Sequence, residues 1–182
     1  TQRAPQRTLE RPTVRDELRH ADLFSILPDE QIEQLAERAV SRTYFPEDTI
    51  VEEGTRGGSL FIITSGAVQV TKRSPRSATV EVTRLGSGDI IGEMSLLTGE
   101  PRSATVIALV QTSVIEVTKE DLTPILKQVP ELTDRFAEVM LDRRLETEQF
   151  LENMRRSDKA NSDCVSDYLE RTVSRIRRFF RL

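Results

Sequence analysis

All eight glycines of this 182-residue chain (Gly54, Gly57, Gly58, Gly66, Gly86, Gly88, Gly92 and Gly99) lie between positions 54 and 99. Glycine supplies the backbone conformations that tight turns need, so this clustering forces a turn-dense segment of short elements. Short runs rich in β-branched residues stand between and beside the glycines, at 49–51, 60–64, 67–71, 79–85, 103–109 and 113–117. In Ala67-Val68-Gln69-Val70 and Thr79-Val80-Glu81-Val82 apolar and polar residues alternate, the pattern of a strand with one buried face. The centre of the chain is therefore read as many short antiparallel strands.

Helical patterns flank that centre. Pro28-Asp29-Glu30 opens one helix, with carboxylates at its positive end and Ile32, Leu35 and Ala36 at helical spacing. Thr118 is placed to cap a helix over 119–128, with Glu120 and Asp121 in its first turn. Pro130 then opens a long helix to about 155, with Leu132, Phe136, Val139 and Met140 on one face. Residues 157–163 are polar and turn-like, and 163–180 form a last amphipathic pattern through Val165, Leu169, Val173, Ile176 and Phe180. The opening residues to 11 read as loose. The predicted fold class is mainly β with flanking helices: an antiparallel, jelly-roll-like β-roll with N-terminal helices and C-terminal helices. Four parts follow: a connector (1–22), the β-roll with its helices (23–129), the long helix (130–156), and a polar turn with a basic amphipathic helix (157–182).

Two counts narrow the chemistry. One cysteine, Cys164, permits neither an internal disulfide nor a cysteine zinc cluster. One histidine, His20, sits among Asp16, Glu17 and Asp22, away from any nucleophile motif. The segment is expected not to be an enzyme and to hold no metal or cofactor. A net charge of −4 argues against a nucleic-acid partner, and no run of 18 apolar residues offers a membrane span. The chain opens on Thr1 rather than Met, as a piece of a longer protein would.

Chemistry concentrates in Ile91-Gly92-Glu93-Met94-Ser95-Leu96-Leu97-Thr98-Gly99-Glu100-Pro101-Arg102-Ser103-Ala104-Thr105. Gly92 before a short helical turn lets a ligand approach the backbone, and the N–H groups near Met94 and Ser95 suit an anion. Arg102 can offer its guanidinium fork to the same anion. Glu93 would repel a lone phosphate, so a carboxylate there asks for a hydroxyl to bind, as on a ribose. The combination fits a nucleotide monophosphate. The alternative is a structural Arg102–Glu93 ion pair with the glycines serving only turns.

The cassette resembles the phosphate-binding cassette of the cyclic-nucleotide-binding family, the type found in the catabolite activator protein and in kinase regulatory subunits. Glycine–glutamate–hydrophobic–small–leucine and proline–arginine–small–alanine–threonine both stand in it without a gap. The resemblance extends over about 23–144, through Gly54–Gly66 and Leu85-Gly86-Ser87-Gly88-Asp89. It implies cAMP or cGMP as regulatory ligand, with Gly92, Glu93 and Met94 facing the ribose, Arg102 and Ser103 facing the cyclic phosphate, and Val70 against the purine. It also makes the 130–156 helix a lid, in which Arg143, beside Arg144, contacts the base or else remains solvated surface. Ser103 carries a hydroxyl without the methyl of threonine, which leaves both ligands open with a lean to cAMP. One position departs from the pattern: Gly58 stands where the family often has aspartate, an expected loss of rigidity rather than of binding.

A sensor needs an output. The 26 residues from 157 to 182 are too few for a helix-turn-helix domain, and neither a second cassette nor an inhibitory basic sequence is found. The stretch Leu145-Glu146-Thr147-Glu148 and the basic end resemble bacterial cyclic-nucleotide-regulated channels of the small-conductance mechanosensitive type. That resemblance implies an upstream membrane channel domain, a location on the cytoplasmic side of the bacterial inner membrane, and a possible homo-oligomer; an enzyme or soluble regulator fused upstream is the alternative. Five arginines and no acid between 171 and 182 suit an anionic membrane surface or a helix docked on its own domain.

Overall fold

A strand buried on both faces needs cover on both sides, and β3 (Ser59–Ser65), buried through its first five residues, organises this molecule. In the computed structural model, which describes residues 13–73, 79–153, 173, 174 and 176–178 (side chains in the long helix only to 142), Leu60 and Ile62 face one core while Phe61 and Ile63 face another. The neighbouring strands repeat the division: Ile115 and Val117 against Val114, and Ile90 against Ile91. This sheet runs β1 (Val40–Tyr44), β8 (Thr112–Thr118), β3, β6 (Ile90–Ile91), all antiparallel. The second sheet, β2 (Thr49–Val51), β7 (Thr105–Ala108), β4 (Ala67–Arg73), β5 (Thr79–Gly86), is also antiparallel. Its Ile50, Val51, Val68, Val106 and Ala108 close the roll over Phe61, Ile63, Ile91 and Val114. The fold is the expected antiparallel roll with flanking helices.

The other face of the first sheet carries the helices α1 (Val14–His20), α2 (Asp29–Ala36), α4 (Lys119–Gln128) and α5 (Glu131–Asn153), with a 3₁₀ turn at Asp22–Phe24. Thr118 caps α4 in a capping box with Asp121, as its spacing predicts. Thr13 and Asp16 cap α1 in the same way. Phe24 and Phe136 meet edge to face, with ring centroids 6.2 Å apart and planes at 82°. Arg15 and Arg19 of α1 reach Asp29 and Glu33 of α2. Ile176 lies fully buried in this core with Val173 against it, while Ser174, Arg177 and Arg178 face solvent. That portion of the last amphipathic pattern spends its apolar side on the chain's own core.

Several elements differ from the sequence expectation. β1 was not expected: Val40–Tyr44 is polar, exposed at four of five positions, and held at an edge by β8. β6 is only two residues long. The run at 103–109 becomes strand from Thr105 alone, because Ser103 and Ala104 turn out of Arg102. Val80 and Val82 of β5, an edge strand, are half-buried rather than on a buried face. The long helix, by contrast, starts as expected just after Pro130 and is helical from Glu131 through Asn153, the last described residue of that stretch. Expectations for residues 1–11, for the turn at 157–163 and for the side chains of Arg143, Arg144 and 145–148 lie outside the described residues.

Candidate functional site

Gly92 adopts φ +83°, a left-handed conformation that glycine takes at little cost, and starts the six-residue α3 (Glu93–Thr98). Gly99, at φ +74°, ends that helix, its N–H donating to Ser95 O at 2.9 Å. The Thr98 hydroxyl donates to Met94 O at 2.7 Å. Leu96 and Leu97 anchor α3 in the helix-side core. The short turn is thus pinned between two glycines and two leucines, with Glu93 and Ser95 each only 2% exposed.

Arg102 returns to this turn from the far end of the cassette and is 6% exposed. One terminal nitrogen donates to Gly92 O at 2.7 Å and the other to Ser59 O at 2.8 Å. Its guanidinium carbon lies 5.9 Å from the Phe61 ring centre. The backbone is clamped as well, Arg102 N–H donating to Thr55 O at 2.8 Å and Gly54 N–H to Arg102 O at 2.9 Å. Burial pushes the guanidinium below its usual pKa, while Glu93 and then Glu116 pull it back up. An arginine remains a cation even so. A buried, oriented cation beside a carboxylate at the mouth of a helical turn is equipped to hold an anion and a hydroxyl together.

The structure brings Gly92, Glu93, Met94, Ser95, Arg102 and Ser103 to one place. The exposed Ser103 hydroxyl points at the Met94 sulfur, 3.9 Å away. Val70 is half-buried against the roll-side core, with Val106 of β7 as its register partner. Arg143 lies on α5, its side chain outside the described residues. Five neighbours of Arg102 carried no role in the sequence reading: Gly54, Thr55, Gly57, Ser59 and Phe61. The Gly57-Gly58 doublet was the one available signal, and it does not say which glycine matters. At Gly58, the position of the departure, an added Cβ would meet nothing within 4 Å. Its carbonyl accepts from Lys119 N–H at 2.9 Å, tying the loop to the start of α4.

A separate cleft of about 380 Å³ lies among Thr49, Glu52, Glu53, Thr71, Arg73, Thr79, Thr105 and Ile107. None of Gly92–Ser103 lines it. Two carboxylates against one guanidinium make it a poor host for phosphate, and the cassette is the better candidate.

This roll, with its glycine-flanked turn and inward arginine, defines a nucleotide-sensing class. Residues 41–129 match the family model described as the cyclic nucleotide-binding domain, and the chain carries a domain of that family. Among its relatives is a cyclic nucleotide-gated potassium channel of Mesorhizobium japonicum, 30% identical over 122 residues, 67% of this chain and 32% of the relative. A cAMP-dependent protein kinase regulatory subunit of Debaryomyces hansenii is 36% identical over 94 residues, 52% of this chain and 20% of the relative. The chain therefore spans a third or less of these two relatives. The fold matches the crystal structure of a cyclic nucleotide-binding domain from Methylobacillus flagellatus (TM-score 0.66, 24% identity, 82% of this chain and 85% of that one). Among the described residues, no helix is long and apolar enough to cross a membrane.

Proposed function

We propose that this domain is a non-catalytic sensor that captures cAMP in preference to cGMP and reports it to an attached channel. The observation that carries the binding reading is the buried Arg102 guanidinium hydrogen-bonded to Gly92 O and Ser59 O beside Glu93. In this reading Arg102 and Ser103 hold the cyclic phosphate, with the N–H groups at Met94 and Ser95 adding to the anion's cradle. Glu93 accepts the ribose 2′-hydroxyl beside Gly92 and Met94, and Val70 packs on the purine. Isothermal titration with cAMP, cGMP and 2′-deoxy-cAMP tests it. The expected order is cAMP, then cGMP, with the deoxy ligand clearly weaker; equal binding of cAMP and its deoxy form removes Glu93 from the ribose role.

The channel context is supported by the potassium-channel relative, whose alignment of 122 residues is longer than the family span 41–129 and so takes in flanking sequence. The pore is of that kind or of the small-conductance mechanosensitive kind that the basic end resembles. α5 is the element suited to report occupancy, since it packs on the helix-side core beside α3 through Leu132, Phe136 and Met140. Ligand shifts its position only by the difference in affinity between two arrangements. Hydrogen exchange over Glu131–Asn153 should slow when cAMP is added, and exchange indifferent to ligand would leave α5 a passive helix. The kinase-subunit relative supports the same capture with a kinase rather than a pore as its output.

A further inference from the structure

The two glycines before β3 are not equivalent. A Cβ built on Gly57 would stand 2.1 Å from both Cζ and Nε of Arg102 and 2.5 Å from one terminal nitrogen. One built on Gly58 would meet nothing within 4 Å. Gly57 does not adopt a left-handed backbone, so alanine fits its conformation and only the space is denied. The opposite wall of the slot is Gly92, where an added Cβ would come within 2.3 Å of the other terminal nitrogen. The guanidinium therefore lies between two stretches of bare backbone, over Phe61, with its fork on Gly92 O and Ser59 O. An arginine side chain is long and jointed, so a methyl group at 57 displaces the guanidinium at little cost to the fold. We propose that Gly57 is a positioning residue for the anion site, whose missing side chain holds the Arg102 guanidinium at the angle from which it meets the phosphate.

The proposal rests on the cyclic-nucleotide reading, and its test separates the two. Titration with cAMP is run on the unsubstituted chain, Gly57→Ala, Gly58→Ala, Arg102→Ala and the Gly57→Ala/Arg102→Ala double variant, with thermal melting of each. Failure of the unsubstituted chain to bind cAMP refutes the parent reading. Given that it binds, Gly57→Ala should weaken affinity about tenfold, the scale of one charge-assisted hydrogen bond. Gly58→Ala should leave affinity within about twofold. In the Arg102→Ala background Gly57→Ala should cost nothing more, because the group it displaces is gone. Unchanged affinity in Gly57→Ala, or the same loss with and without Arg102, overturns the proposal. If Gly57→Ala proves too unstable to titrate, the melts decide: recovery in the double variant supports the slot, and equal instability contradicts it.

Discussion

The two faces of the first sheet are built to different standards. The helix side packs Leu18, Phe24, Ile32, Leu35, Phe136 and Ile176 to full burial, from segments more than a hundred residues apart. The roll side is smaller and ends on the buried Arg102 over Phe61, with Glu93 beside it. Packing apolar surface stabilises by an amount that scales with the area removed from water, so the helix side supplies most of the hydrophobic stabilisation. The roll side spends part of its interior on a cation and a carboxylate, whose burial is costly unless partnered. In the proposed reading, stability and ligand capture are thus divided between two faces of one sheet, and α3 joins them. Its leucines sit in the helix-side core, while Gly92, at its start, accepts a hydrogen bond from Arg102.

The largest effect that could break this division comes from the helix side. Leu35→Ala in α2 empties a fully buried site in the helix-side core, and should cost about 2–5 kcal/mol of stability in urea unfolding. Affinity of the remaining folded protein for cAMP should stay within about twofold, the outcome for a residue outside the site. A large loss of affinity alongside would mean that the two sides are energetically one unit.

A smaller effect sharpens the roll side. Phe61→Leu keeps an apolar side chain but removes the ring under Arg102, an interaction worth about 0.5–1 kcal/mol. Affinity should fall about two- to fivefold by titration, with only a modest change in melting temperature. Loss of stability with affinity unchanged would make Phe61 ordinary core. The smallest effect lies away from the site, in the turn where Glu47 holds φ +74°, a conformation costly for any side chain. Glu47→Gly should raise stability by roughly 0.5 kcal/mol, the relief of strain being partly offset by unfolded-chain entropy. No change in ligand binding is expected there.

Much of this arrangement was legible in the sequence because local chemistry dictated it. The glycine cluster announced the roll, Thr118 announced α4, and Gly92 announced the short helical turn of the cassette. β1 was illegible because an edge strand with both faces exposed needs no apolar alternation. β5 showed alternation yet lies at a sheet edge, where half-burial suffices. The Arg102 slot was illegible for a different reason. It is made by Gly57, Ser59 and Phe61 from one end of the roll and Gly92 from another, and only the folded register brings them together. Burial of Ile176 in the helix-side core is equally non-local, since periodicity told only that the last segment had an apolar face, not what covers it.

In the proposed reading, Arg102 is the anion-binding group of this domain. Arg102→Ala removes a charge-assisted contact of about 1.5–3 kcal/mol, and titration with cAMP measures it directly. Affinity is expected to fall at least tenfold while circular dichroism keeps the signature of the folded roll. Wild-type affinity in a folded Arg102→Ala protein would contradict the account.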